Sequence, residues 1–271
     1  MVAVVLSVLW CAGCEVQGGA DETPAPAARP GPAAAGGLVP LPISLPKPVF
    51  KCTPYPIGRL LSVPNLDDRS RWRRRPGPFL VPPGTTNIAL GKPITSSDPH
   101  GPIIGELAQI VDGEKCGVDG NLVEVWGGCD RHHDLLPAWV QIDLQGISSV
   151  YAILIWRRQW TNVTRDVIVR ISPDRDFINA ITVFNNDHDN SSGFGIGRDK
   201  AYVESYRGKL IDCKGFTGRY VRLHSRGSLR DDGNYYVEVE VHGRAIDAPA
   251  APIDQPLPKL ETALPRPMFC E

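Results

Sequence analysis

Trp139-Val140-Gln141-Ile142-Asp143-Leu144 alternates apolar and polar side chains, and Tyr151-Ala152-Ile153-Leu154-Ile155-Trp156 follows as an unbroken apolar run. A period of two sends successive side chains to opposite faces of a strand; a short apolar run between turn residues reads as a strand buried on both faces. The same signal returns at Val167-Ile168-Val169-Arg170-Ile171, at Ile181-Thr182-Val183-Phe184 and at Tyr220-Val221-Arg222-Leu223. In Tyr235 to Val241 (YYVEVEV), the period places Tyr235, Val237, Val239 and Val241 on one side and Tyr236, Glu238 and Glu240 on the other. Gly, Asn, Asp and Ser clusters separate these runs, and no segment keeps a long 3.6-residue period. The expectation is an all-β chain, an antiparallel β-sandwich.

Proline marks the limits of that domain. Of 26 prolines, 15 fall in residues 1–84 and 6 in residues 245–271, leaving 5 for residues 85–244. The expected organisation is a signal peptide with a possible lipobox over 1–14, a disordered Ala/Pro/Gly linker over 15–40 and a proline-rich extended arm over 41–84. The β-sandwich then covers 85–244, and a second proline-rich arm covers 245–271. A domain of about 160 residues buries a full core without help from metals or disulfides. Alternate prolines hold a chain extended. Leu45-Pro46-Lys47-Pro48-Val49-Phe50-Lys51-Cys52 recurs as Leu264-Pro265-Arg266-Pro267-Met268-Phe269-Cys270. The two arms either lie side by side, joined Cys52 to Cys270, or are independent linkers.

The formal net charge is −1, so no global field draws the chain to nucleic acid. One local run, Arg69, Arg71, Arg73, Arg74 and Arg75 around Trp72, reads either as a contact for an anionic polymer or lipid headgroups, or as a solvated linker. Met1 to Trp10 is apolar but shorter than the ~20 residues that span a bilayer, and reads as the hydrophobic region of a signal peptide. Cys11-Ala12-Gly13-Cys14 resembles a bacterial lipobox, with Cys11 where Leu is usual. That resemblance implies lipidation of Cys14 and an exported lipoprotein anchored in the outer membrane, facing the periplasm or the cell surface.

Five phrases occur in the order of a known family. Asn87-Ile88-Ala89-Leu90-Gly91-Lys92-Pro93 with Ser96-Ser97, Ile110-Val111-Asp112-Gly113, Trp139 to Leu144, Gly218 to Leu223 and Glu238 to Gly243 resemble a discoidin domain (factor 5/8 type C). The resemblance spans about Asn87 to Arg244. It implies the galactose-binding-like jelly-roll and a structural calcium near the first loop, held by the Gln109 carbonyl, Asp112, Glu114 and Glu238. Calcium takes several oxygen ligands, and a carboxylate-plus-carbonyl loop closed by a distant Glu supplies them. Glu114 departs from the family's usual Asn or Asp. The alternative is a solvated acidic turn with Glu238 on an exposed face.

Sugar-binding members of this fold bind with loops at one end, and its fucose lectins use a His followed by Arg-x-Asp-x4-Arg. Here Arg158-Gln159-Trp160 and Arg165 keep the arginine spacing, with His132 and His133 near the family's His. Trp160 replaces the Asp and offers a stacking face instead. Arginines donate paired hydrogen bonds to hydroxyls or carboxylates, and aromatic faces pack on the apolar side of a sugar ring. The alternative is that these are ordinary surface and loop residues. Asp130-Arg131-His132-His133-Asp134 is a poor zinc site, because adjacent His cannot easily reach one ion. Asp187-His188-Asp189-Asn190-Ser191-Ser192-Gly193 partly resembles an EF-hand loop, but its Gly comes one place late and it reads as an ordered polar loop.

Cys116 and Cys129 bracket a Gly-rich loop and either close it or stay free thiols; Cys213 is left alone. No nucleophile elbow, zinc-protease motif, phosphate loop or dinucleotide fingerprint is present. The reading is a non-catalytic binding module at the cell envelope that takes a glycan or cell-surface polysaccharide through loops at one end of the sandwich. It has no nucleic-acid partner, and it meets the membrane only through its lipid. The competing reading is a structural envelope component that holds a protein partner without binding sugar.

Overall fold

Two long strands organise the structure. The computed structural model describes residues 37–46, 62–67, 77–115, 122–125, 137–158 and 163–246. Its strands are β1 (Val39–Pro40), β2 (Leu80–Val81), β3 (Thr86–Asn87), β4 (Ile94–Ser96), β5 (Val123–Val125), β6 (Ala138–Trp156), β7 (Ile168–Ser172), β8 (Ile181–Asn185), β9 (Lys209–Ser225), β10 (Asn234–Tyr236) and β11 (Glu238–Ala245). β6 and β9 pair antiparallel along their lengths, and both bend midway, where the register shifts between Asp143 and Ser148. Gln145 takes a left-handed φ of 64° at the bend of β6, and Lys214 and Gly215 take 52° and 75° in β9. A Cβ on Gly215 would lie 2.9 Å from the Tyr151 ring, so the bend in β9 needs glycine.

The bends fold the pair back on itself. Val140, Ile142 and Leu144 from the first half of β6 share one core with Val150, Ile153 and Ile155 from the second half. Ile211, Cys213, Val221 and Leu223 of β9 enter the same core. One layer is β4, the first half of β6, the second half of β9, β7 and β8. The other is the first half of β9, the second half of β6, β11 and β3. This is the antiparallel β-sandwich the alternation predicts, with strands that change layer at bulges. One consequence positions the site. Ala138, at the start of β6, pairs with Ser225 at the end of β9, and Arg157, just past the end of β6, donates Nη1 to Ser225 Oγ at 3.0 Å. Both ends of β6 therefore meet at one end of the sandwich.

The alternation through YYVEVEV fails at Val237. β10 pairs with β5, whereas β11 pairs with β6, so the chain changes partner between Tyr236 and Glu238. Val239 and Val241 enter the main core with Tyr236, while Val237 packs on the opposite side of the sheet with Ala152, Leu154 and Trp156. Glu238, Glu240 and His242 then fall on that outer side, yet they are buried. The first proline-rich arm accounts for this. Leu41, Ile43, Phe79 and Val81 pack on Trp156 and Leu154, and β1 pairs with β2. The Lys115 amine donates to the Ser44 carbonyl at 2.9 Å and pairs with Glu240. A second piece of the arm reaches the loop end: Leu66 bridges Ala201, and Val63 and Leu66 pack with Val163 and Leu229.

Cys213 is a buried free thiol whose pKa is pushed well up by burial. The signal segment with Cys14, the basic run around Trp72, Cys52, Cys116, Cys129, Cys270 and residues 247–271 of the second proline-rich arm lie outside the described residues.

Candidate functional site

A buried polar network underlies the loop end. Arg157 is 1% exposed, unusual for a charged side chain. Besides its bond to Ser225, it donates Nη2 to the Tyr236 hydroxyl at 3.1 Å, and its guanidinium lies 4.1 Å from the Tyr236 ring centroid. Ser225 Oγ donates to Asn234 Oδ1, which also accepts the Gly227 N–H. Thr164 Oγ1 donates to Glu204 Oε1 at 2.8 Å. Burial raises the Glu204 carboxyl to about 7, opposed by the Arg157 charge. The network thus ties together the chain beyond β6, the 163–166 segment, the 201–204 segment and the 226–234 loop.

Irregular backbone rungs set the outer residues on this base. The Arg165 N–H donates to the Gly227 carbonyl at 2.9 Å, Arg226 N–H returns to the Arg165 carbonyl at 3.0 Å, and Leu229 N–H donates to the Val163 carbonyl. Gly227 has φ 68°, and a Cβ there would come within 2.7 Å of Asp232 Cα, so this close approach requires glycine. Arg165 then pairs with Asp232 at 2.8 Å. Arg158 lies 3.6 Å from Asp231, with its guanidinium 4.7 Å from the Tyr235 ring centroid. Tyr235 faces Glu124 across the β5–β10 pair. Burial, with the Glu124 and Asp231 charges, pushes its hydroxyl up to about 12. The result is an exposed surface with two arginine–aspartate pairs beside an aromatic ring.

The structure places Arg158 and Arg165 on this surface. His132, His133 and Trp160 lie outside the described residues. The acid missing from the Arg-x-Asp pattern is present after all: Asp231 and Asp232 supply it from a loop some 70 residues downstream. Sequence reasoning missed both, and Tyr235 as the ring beside them. Their signal is Arg230-Asp231-Asp232-Gly233-Asn234, a polar turn directly before the last strands, which periodicity treats only as a separator.

The expected calcium ligands are arranged around the 3₁₀ turn Leu107–Val111. Glu238 is fully buried; its Oε2 accepts the Gly113 N–H at 3.2 Å and its Oε1 has no partner among the described residues. Burial and the Asp112 and Glu240 carboxylates push Glu238 up to about 9. Asp112 Oδ1 accepts the Glu114 N–H, and the Gln109 side chain accepts the Glu106 N–H. The buried Glu238 is not on an exposed face, but the Glu114 side chain is exposed, and the three carboxylates do not come within 4.8 Å of one another. Asp166, Asp187 and Asp189 do, around the Ser191 hydroxyl. Asp187 spends its oxygens on the Ser191 and Ser192 N–H groups, as an ordered polar loop requires.

No family model matches the sequence, and no curated protein matches it. Solved structures do match. The chain is similar to discoidin-like carbohydrate-binding modules. CpGH89CBM32-4, produced by Clostridium perfringens and solved with GlcNAc-α-1,4-galactose, is 18% identical over 60% of this chain and 96% of its own, with a TM-score of 0.38. Chitosan-binding module 1 of a chitosanase/glucanase from Paenibacillus sp. IK-5 is 21% identical over 58% and 99%, with a TM-score of 0.41. A family 89 glycoside hydrolase from Clostridium perfringens is 16% identical over 58% of this chain, with a TM-score of 0.40, and the match spans 14% of the hydrolase. These likenesses concern strand arrangement; the chemistry of the loop end belongs to this chain's own residues.

Proposed function

We propose that this protein is a non-catalytic carbohydrate-binding module whose ligand sits on the loop end. The observation that carries this is the pairing of Arg158 with Asp231 and of Arg165 with Asp232 beside Tyr235. Guanidiniums donate and carboxylates accept, which matches vicinal sugar hydroxyls, and an aromatic flank suits the apolar face of a pyranose ring. Paired charges leave the surface near neutral, which favours a neutral sugar. The basis is preorganised, because the buried Arg157 network fixes the loops before ligand arrives. Display at the cell envelope through a lipid on Cys14 belongs to the same proposal.

A calcium held by Glu238 and Asp112, with backbone carbonyls of the 109–113 turn, completes the reading. The unpartnered Glu238 oxygen beside a second carboxylate is the observation that fits a cation. The ion would supply a staple between the first loop and β11, not chemistry.

The test is a glycan array with the full chain in calcium and then in EDTA. Binding to a coherent set of neutral glycans supports the module. A blank array on folded protein overturns it, and moves attention to a protein partner. A melting temperature that does not rise in calcium removes the ion while leaving the sugar site standing.

A further inference from the structure

The outer face of the layer built from β6, β9 and β7 carries a cluster that the loop end does not use. In register, Gln141, Arg222 and Arg170 form one cross-strand row, and Trp139, His224 and Ile168 form the next. Like charges directly opposite each other in an antiparallel pair repel. Arg170 and Arg222 nevertheless sit partner to partner, both half-buried, and neither has a carboxylate within 4.0 Å among the described residues.

Their surroundings are aromatic. The Arg222 guanidinium lies 4.6 Å from the Trp139 ring centroid and 4.0 Å from that of Phe177. Arg170 lies 5.7 Å from Phe177 and 5.2 Å from Phe194. Arg222 donates Nε and Nη2 to Gln141 Oε1, and Nη2 again to the Arg175 carbonyl. Arg170 gives one long bond to the Phe177 carbonyl, and its buried Nε has no partner. His224 is 3% exposed, with its ring 4.5 Å from that of Phe194 and no partner for either nitrogen. Burial and the two guanidiniums hold it down at about 3, so it stays neutral and adds no further positive charge. Two acids act on the pair from beyond 4.0 Å: Asp176 and Asp174 on Arg222, and Asp174 on Arg170. Asp174 accepts from Ser172, Ile178 and Asn179.

We propose that this face is a second ligand site, and that it takes a carboxylate-bearing sugar, a uronate, with the carboxylate against the edges of Arg170 and Arg222 and the sugar ring along Trp139. Two adjacent guanidiniums with no carboxylate within 4.0 Å among the described residues leave room for one planar anion, and a carboxylate has the geometry they match. The aromatic rim distinguishes a sugar acid from a bare inorganic anion. The loop end, with its arginines already neutralised, takes a neutral sugar; this face takes an acidic one.

The probe is a short galacturonate oligomer and its methyl ester, titrated calorimetrically into the full chain. The acid binds and the neutral ester does not. Arg170→Gln weakens the acid by about tenfold or more, while the Arg158→Ala/Arg165→Ala double variant leaves it unchanged, so this site fails or stands separately from the loop end. Should Arg170→Gln not fold, the Trp139 indole N–H resonance of the unmodified protein decides. A shift on adding the acid supports the site. No binding of the acid, equal binding of the ester, or shifts confined to loop-end residues such as Tyr235 overturn it.

Discussion

Between the two halves of β6 the buried groups are Val140, Ile142, Ile153 and Ile155, all without a polar atom in their side chains; at the loop end they are Arg157, Glu204 and Thr164. The first region is held by burial, which is strong but non-directional. The second is held by hydrogen bonds to charged groups, which fix geometry and are costly when broken. Strength at the strands makes a scaffold, and direction at the loops makes a site. If that division is right, damage to the two regions has different signatures.

Arg157→Met should have the largest effect. It leaves the buried Ser225 and Tyr236 hydroxyls without the guanidinium that donates to them, and hydrogen bonds to a charged group contribute about 1.5–3 kcal/mol each. Stability by denaturant melt and glycan affinity should fall together, because the loops lose their anchor. Ile153→Ala, in a fully buried position, should cost about 2–5 kcal/mol. Here the folded fraction should bind glycan as well as before. Equal losses of affinity in both variants would erase the distinction.

Glu204 sharpens the comparison through pH. Its folded pKa, about 7, lies above the ordinary Glu value of 4.5. A raised carboxyl favours the folded state at low pH, and that contribution is lost as pH rises through about 7. The groups facing it are Arg157, Tyr202, Thr164 and Lys209. Wild type should therefore lose stability relative to Glu204→Gln between pH 5 and pH 8. Parallel curves for the two proteins would remove Glu204 from the network's energetics.

The scaffold was largely legible from sequence, and the site only in part. Alternation and short apolar runs located β7, β8, the two halves of β6 as separate strands and the second half of β9; the first half of β9, Lys209 to Lys214, is not read as a strand. Alternation failed at Val237, where the chain changes partner between β10 and β11, and a local pattern cannot show a change of partner. The arginine spacing singled out Arg158 and Arg165, which lie on one surface. It could not locate Asp231 and Asp232, which reach them only because both ends of β6 and the end of β9 meet. Arg157 is invisible for the opposite reason: beside Arg158 in sequence it reads as one more surface charge, yet it is the buried one. The first proline-rich arm reads only as an extended segment because its prolines and isolated apolar residues show no period, although Leu41 and Leu66 pack on the domain.

Leu66→Ala tests that last point with a smaller effect, about 1 kcal/mol from the partial burial it removes. It should also loosen the 201 segment, read as faster amide exchange at Ala201. Arg165→Ala should be the mildest for stability, under about 1 kcal/mol, since its pair with Asp232 is solvent-exposed.

The most direct measurement compares glycan affinity and melting temperature of the full chain with those of the Arg158→Ala/Arg165→Ala double variant. The loop-end account predicts an affinity lower by about tenfold or more with a melting temperature close to that of wild type. Unchanged affinity in the folded double variant would contradict it.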